Sequence, residues 1–126
     1  MKIFISALAI LLVITCITFG ASFYTAKKAD FFFSRIEKIN AGEKEGDLSF
    51  LQNEYELLLE EWKNAYLLLS VSNHHSNLLQ IEEAFASVIG SCRANDQNEV
   101  LIHGKKLSEL FKNLKDSAKL KASNIF

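Results

Sequence analysis

The sequence predicts an all-α fold: an N-terminal transmembrane helix followed by an antiparallel bundle of three to four amphipathic helices. Three observations carry this. The 126 residues include no proline, so nothing in the chain forbids long helices. From Ile3 to Ala26 no side chain is charged. Downstream, apolar residues recur in steps of three and four, and no long stretch alternates with the period of two that a half-buried strand requires.

The first element is "IFISALAILLVITCITFGASFYTA". A bilayer core is crossed by about 20 apolar residues in a helix, and this run suffices, with Phe23 and Tyr24 near its end as interfacial residues. Residues 1–26 are therefore read as a transmembrane signal anchor and residues 27–126 as a helical bundle domain. A cleaved signal peptide would have a shorter apolar region, about 7–15 residues, and "FGAS" lacks a clean A-x-A site. A lipoprotein cysteine at Cys16 is set aside, because "VITC" matches that processing box poorly and the apolar run continues past it. The flanks disagree on orientation. Lys27, Lys28, Arg35 and Lys38 outnumber Lys2, which favours a cytoplasmic C-terminal part. A very short tail opening Met-Lys is instead how secretory anchors begin, and those export the chain on their C-terminal side. The expectation adopted is a single-pass protein of the cell membrane with its C-terminal domain extracytoplasmic.

After the anchor, Phe32, Ile36 and Ile39 share one helical face, as expected if the helix leaves the bilayer and its stripe joins the bundle. The Phe31–Phe33 triplet has two readings, headgroup anchoring or bundle core. "AGEKEGD", residues 41–47, reads as a turn, with Asp47 as cap of the next helix. In that helix Leu51, Tyr55, Leu58, Trp62, Ala65 and Leu69 step by four and three, and Leu59 and Tyr66 widen the stripe, so burial against more than one neighbour is expected. "SNHHSN", residues 72–77, comes next, with Ser76 as the expected cap of a helix whose stripe is Leu78, Ile81, Phe85, Val88 and Cys92. "RANDQN" is a polar turn, and Asn98 is the expected cap of a last helix with Val100, Leu107, Leu110, Phe111 and Leu114 inward. Short turns make sequential helices antiparallel neighbours. The tail ends on Ile125 and Phe126, apolar residues expected to be tied down.

No motif in the chain names a chemistry. A formal net charge of −1 gives no basic field for nucleic acid. Cys16 lies in the apolar run and Cys92 in the polar part, so the two are not expected to pair. His74 and His75 are adjacent, and adjacent helical residues point about 100° apart, so they cannot chelate one ion as an i, i+4 pair does. No HExxH, CxxC pair or calcium loop occurs. The plain reading of "SNHHSN" is the corner of a helical hairpin. His103 reads as a half-buried core histidine, Cys92 as a small buried hydrophobe and Trp62 as a core anchor. "HGKK", residues 103–106, is only half of a phosphate-binding loop. The lysines of the last helix form a solvated face that also suits anionic headgroups.

Three pieces in order, "EEWKNAYLLLS", "HSNLLQIEE" and "ASNIF", resemble a family of small single-pass membrane proteins of Firmicutes catalogued as domain of unknown function 4363. Such proteins share an N-terminal membrane segment, a Glu-rich helix with a tryptophan, a histidine-led next helix and an Asn-Ile-Phe ending. The landmarks that the resemblance carries over are Trp62, His75, Ile81, Glu82, Asn124, Ile125 and Phe126. Acidic residues often come directly after that histidine in the family, where this chain has Ser76 and Asn77. That departure weakens a histidine–carboxylate metal site. The resemblance implies an architecture and a location but no reaction.

The functional expectation is a non-enzymatic interaction or accessory protein of the bacterial cell envelope. No catalytic residue, cofactor, metal, nucleic acid or small-molecule substrate is assigned. The expected partners are the membrane and another membrane protein or a second copy. The alternative is a metal-binding or enzymatic helical domain using His75, His103 and Cys92, and the separation of those three side chains distinguishes the two.

Overall fold

A computed structural model describes residues 1–42, 48–71 and 73–124, the side chains of residues 42 and 121–124 excepted. Every element in it is helical: α1 (Lys2–Gly42), α2 (Leu48–Leu69), α3 (His75–Arg93) and α4 (Gln97–Asn124). The apolar segment expected to be an anchor and the first bundle helix are one continuous α1. Only its second half is packed, so the bundle has four helices, one of them shared with the apolar segment. Ala41 and Gly42, expected to open a turn over residues 41–47, are still helical. Residues 43–47, including Asp47, lie outside the described residues.

The helices form a ring in which α1 packs on α4, α4 on α3, α3 on α2 and α2 on α1, with α1–α4 the most extensive contact and α1–α2 the least. Each helix is antiparallel to both its neighbours. α1 runs outward, α2 returns, α3 runs outward and α4 returns. The α2–α3 corner and the end of α4 therefore lie beside the point where α1 leaves the bundle.

The stripes read from the sequence are the core. Leu51, Tyr55, Leu58, Trp62, Ala65 and Leu69 are buried, as are Leu78, Ile81, Phe85, Val88 and Cys92, and Val100, Leu107, Phe111 and Leu114, with Leu59, Tyr66 and Leu110 packed partly against them. On α1 the stripe is longer than Phe32, Ile36 and Ile39. It begins at Ser22 and continues through Thr25 and Ala29, stepping by three and four throughout. Small residues there let a neighbour approach the α1 backbone closely. The Phe31–Phe33 triplet divides between its two readings: Phe32 is in the core, Phe33 packs partly against it and Phe31 is exposed, with the Lys28 and Arg35 cations over its ring.

Each helix contributes an aromatic ring to the centre. Trp62 of α2 meets Phe32 of α1 at 6.0 Å, Phe85 of α3 at 6.4 Å and Phe111 of α4 at 5.6 Å, while Phe32 and Phe111 stack at 4.9 Å. Offset and edge contacts of this kind each add about 0.5–1.5 kcal/mol beyond the area they bury.

The α3–α4 turn is built by its backbone. Asn95 has φ 57°, and the Asn95 and Asp96 amides donate to the Cys92 and Ser91 carbonyls, the paired bonds of a Schellman ending. Asp96 then caps α4, its Oδ1 accepting from the Glu99 amide at 3.2 Å. The cap expected at Asn98 is thus two residues earlier, because α4 starts at Gln97. The cap expected at Ser76 is likewise displaced. α3 starts at His75, so His74 holds the capping position, and it makes no side-chain capping bond.

Gly104 sits in the middle of α4, where glycine weakens a helix. Its place explains it. A Cβ there would lie 2.7 Å from Asn40 Oδ1 and 2.8 Å from the Tyr55 hydroxyl, which themselves hydrogen-bond at 2.7 Å. "HGKK" is a close-packing point between α4, α1 and α2, with no phosphate loop geometry. Gly104→Ala is expected to destabilise the fold by up to about 2 kcal/mol, the overpacking cost of about 1–3 kcal/mol less a helix-propensity gain of about 1 kcal/mol. Denaturant unfolding in detergent, followed by circular dichroism, checks the sign.

Exposed ion pairs lace the helices: Lys115–Asp30 at 2.7 Å, Arg93–Glu56 at 3.0 Å and Arg35–Glu54 at 3.7 Å. The hydrogen bond and charge of Lys115, with help from Lys119, hold the Asp30 carboxyl below its usual range. Gln52 and then Arg93 do the same for Glu56. A depressed folded pKa gives stability that is complete at neutral pH and is lost as pH falls past about 4 towards the lower folded value. Exposed pairs contribute little. Asp30→Asn is therefore expected to melt slightly below the parent at pH 7 and together with it at strongly acid pH, as thermal melts at the two pH values will read.

Candidate functional site: the α2–α3 end of the bundle

The α2–α3 corner is held by hydrogen bonds from its own side chains. After Leu69 the chain turns, with the Ser70 amide on the Tyr66 carbonyl and the Val71 amide on the Leu68 carbonyl. Asn73 then donates from Nδ2 to the Leu69 carbonyl at 2.7 Å and to Thr25 Oγ1 at 3.1 Å. The second bond ties the corner to α1. Thr25 is also bonded to its own helix, its hydroxyl donating to the Ala21 carbonyl at 2.9 Å.

The two histidines separate here. His75 Nδ1 lies 2.8 Å from the Tyr66 hydroxyl, and its ring stands edge-on to Tyr66 at 6.5 Å. It clips the first turn of α3 to the last turns of α2. His74 borders a groove of about 420 Å³ whose rim is Asn73, Asn77, Gln80, Asn113 and Ser117 and whose apolar side is Ile81, Leu110 and Leu114. That volume is in the range of small-ligand sites. Its polar groups are carboxamides, one hydroxyl and one imidazole, an arrangement suited to hydrogen bonding. It holds no carboxylate to serve as a general acid or base or to orient the imidazole.

Of the landmark residues, Trp62 and Glu82 are brought together, the indole Nε1 donating to Glu82 Oε1 at 3.4 Å, and Ile81 is buried beside them. His75 lies at the corner, apart from that pair. Asn124 closes α4, but its side chain, like Ile125 and Phe126 entire, lies outside the described residues.

The three residues of the alternative reading are not assembled. His75 opens α3 and Cys92 closes it, 17 positions later, which is about 25 Å along a helix axis. Cys92 is buried in the core and forms no disulfide with the exposed Cys16. His103 Nε2 lies 3.0 Å from Glu99 Oε2, beside a second groove bordered by Glu83, Ser87 and Lys106. Among the described residues no group of three or more His, Cys, Asp or Glu side chains is placed to hold a metal ion.

Sequence reasoning missed Asn73 and Thr25. A threonine in an apolar run and an asparagine in a polar turn carry no periodic signal, and their pairing is made only by the antiparallel return of α2. Compared with family models, curated proteins and solved structures, the chain matches none.

Proposed function

We propose that the protein is a single-pass, membrane-anchored accessory protein of the bacterial envelope, a non-enzymatic helical module that another membrane protein or a second copy engages. The observation that carries this is the division of α1. The helix is long and apolar enough to cross a membrane, and none of its apolar stretch is buried against the rest of the chain, while its second half supplies Phe32 and Ile36 to the bundle core. A water-soluble bundle has no use for an uncovered apolar helix of this length, whereas hydrocarbon covers it without help. The order of landmarks, which resembles that of the small single-pass family of Firmicutes, supports the same reading.

On the export reading of the flank around Lys2, the bundle faces outside the cytoplasm. Photocrosslinking in native membranes is expected to capture a second copy or a specific membrane protein. Recovery of monomer alone with several chemistries would end the accessory reading. Protease added to intact cells is expected to digest the bundle, and protection would reverse the orientation.

A further inference from the structure

We infer that the membrane-proximal end of the bundle is a lipid-contacting surface, with Leu67, Leu68 and Val71 seated in the interfacial layer of the bilayer that α1 crosses. The inference rests on α1 being a membrane anchor.

The first support is level. A bilayer core takes up about 20 helical residues, so a span that starts at Ile3 leaves the hydrocarbon near Ser22. Thr25 then sits in the first turn outside it, and the Asn73–Thr25 bond fixes the α2–α3 corner at that height. α4 arrives at the same height. Lys115 with Asp30 and Ser108 with Glu37 are both seven residues apart on the two helices, a register that sets Leu120 beside Thr25. The bundle is therefore not lifted off the membrane on a stalk; its base begins where the lipid headgroups begin.

The second support is composition. Between Lys63 and Glu82 no residue is Asp, Glu, Lys or Arg, whereas the opposite end carries "RANDQNE". Within the uncharged stretch Leu67 is 77% exposed, Leu68 54% and Val71 61%. Single exposed apolar residues are ordinary on a protein surface. Three within five positions, on the corner at headgroup height, are apolar surface offered to the interface.

The third support is charge. Lys27, Lys28, Lys115 and Lys119 lie at or near this height, opposed by Asp30 and Asp116, and Lys27 and Lys28 lie over the Phe23 and Tyr24 rings. An apolar corner at the level of lysines and aromatic side chains is the pattern of segments that bury their apolar face about 5–10 Å into the interface of anionic membranes. The occupant of this surface is the lipid itself, without a second protein.

The test uses the full chain in vesicles of phosphatidylcholine and phosphatidylglycerol, with or without bromine on the acyl chains. A nitrobenzoxadiazole label is placed on native Cys16 in one sample. In two others, with Cys16→Ser and the buried Cys92 left in place, it is placed at Leu68→Cys or at Ile102→Cys on the far part of α4. The expected result is loss of most emission to brominated lipid at positions 16 and 68, a blue-shifted spectrum at both, and neither change at 102. Quenching at 16 with position 68 behaving like 102 overturns the inference and leaves the anchor standing. A blue shift at 68 without quenching means that a second copy covers the corner, and overturns it as well. Absence of quenching at 16 means that α1 is not inserted, and both readings fall.

Discussion

Trp62→Ala is expected to destabilise the fold by about 3–5 kcal/mol, the range for deleting a large aromatic side chain from a packed core. Small domains hold only about 5–15 kcal/mol in total, so the variant should be largely unfolded or should melt far below the parent. The expectation comes from position more than from size. Trp62 is fully buried, and its ring touches one aromatic of each other helix, so its removal opens a void shared by all four helices. No single neighbour can fill such a void by changing rotamer, because each is held by its own helix. Trp62→Phe separates the two roles of the side chain. It keeps a ring in the cluster and removes the indole donor to Glu82. At 3.4 Å that bond is long, and the Glu82 carboxylate is only partly buried, so water can replace the donor. The phenylalanine variant is expected to lose less than half of what alanine loses. Phe50→Ala, at an exposed site, is expected to stay within about 0.5 kcal/mol of the parent. Detergent-solubilised melts by far-ultraviolet circular dichroism read all three. An alanine variant that melts with the parent would mean that the four helices do not share one cooperative core.

What the sequence made legible is whatever periodicity can encode. The stripes of α2, α3 and α4 were readable because charged residues fill the other faces of those helices, so inside and outside differ in kind. The same rule explains the failure on α1. Ser22, Thr25 and Ala29 continue the stripe of Phe32 and Ile36 with the same spacing, but around Ser22 and Thr25 the faces turned away from the bundle are apolar too, and no contrast marks the inner one. Helix starts were off by two residues at both Ser76 and Asn98. Serine and asparagine are good caps in isolation, but the Schellman ending at Asn95 brings Asp96 to the start of α4 first. The corner itself was legible as a corner. That His75 would turn to Tyr66 while Asn73 reached Thr25 was not, since both bonds join residues that only the antiparallel packing makes neighbours. The same packing separates His75 from Cys92, which residue types alone could not decide.

A charge placed in the middle of the apolar half of α1 is expected to release the protein from the membrane in steps. Between Ile3 and Phe19 the run holds eleven Ile, Leu, Val or Phe side chains, each favouring insertion by about 0.3–0.6 kcal/mol, or about 3–7 kcal/mol in all. The interspersed Ser6, Thr15 and Thr18 take back part of this. Thr15 and Thr18 limit their share by donating their hydroxyls to the Leu11 and Ile14 carbonyls, which satisfies them inside the helix. A single aspartate at the centre costs about 2.5–3.5 kcal/mol, comparable with the net that remains. Val13→Asp is therefore expected to shift a measurable fraction of the protein out of the membrane, and Leu12→Asp combined with Val13→Asp to remove nearly all of it. The same substitution at Ile102, exposed on α4, should leave the distribution unchanged. Alkaline carbonate extraction followed by flotation reads the fraction directly. The bundle serves as an internal check: its core begins at Ser22, beyond the altered turn, so helical content should persist in the released protein. A double variant that still floats with the lipid would show that the apolar half of α1 is not what holds the chain there, and the anchor would have to be sought elsewhere in the molecule.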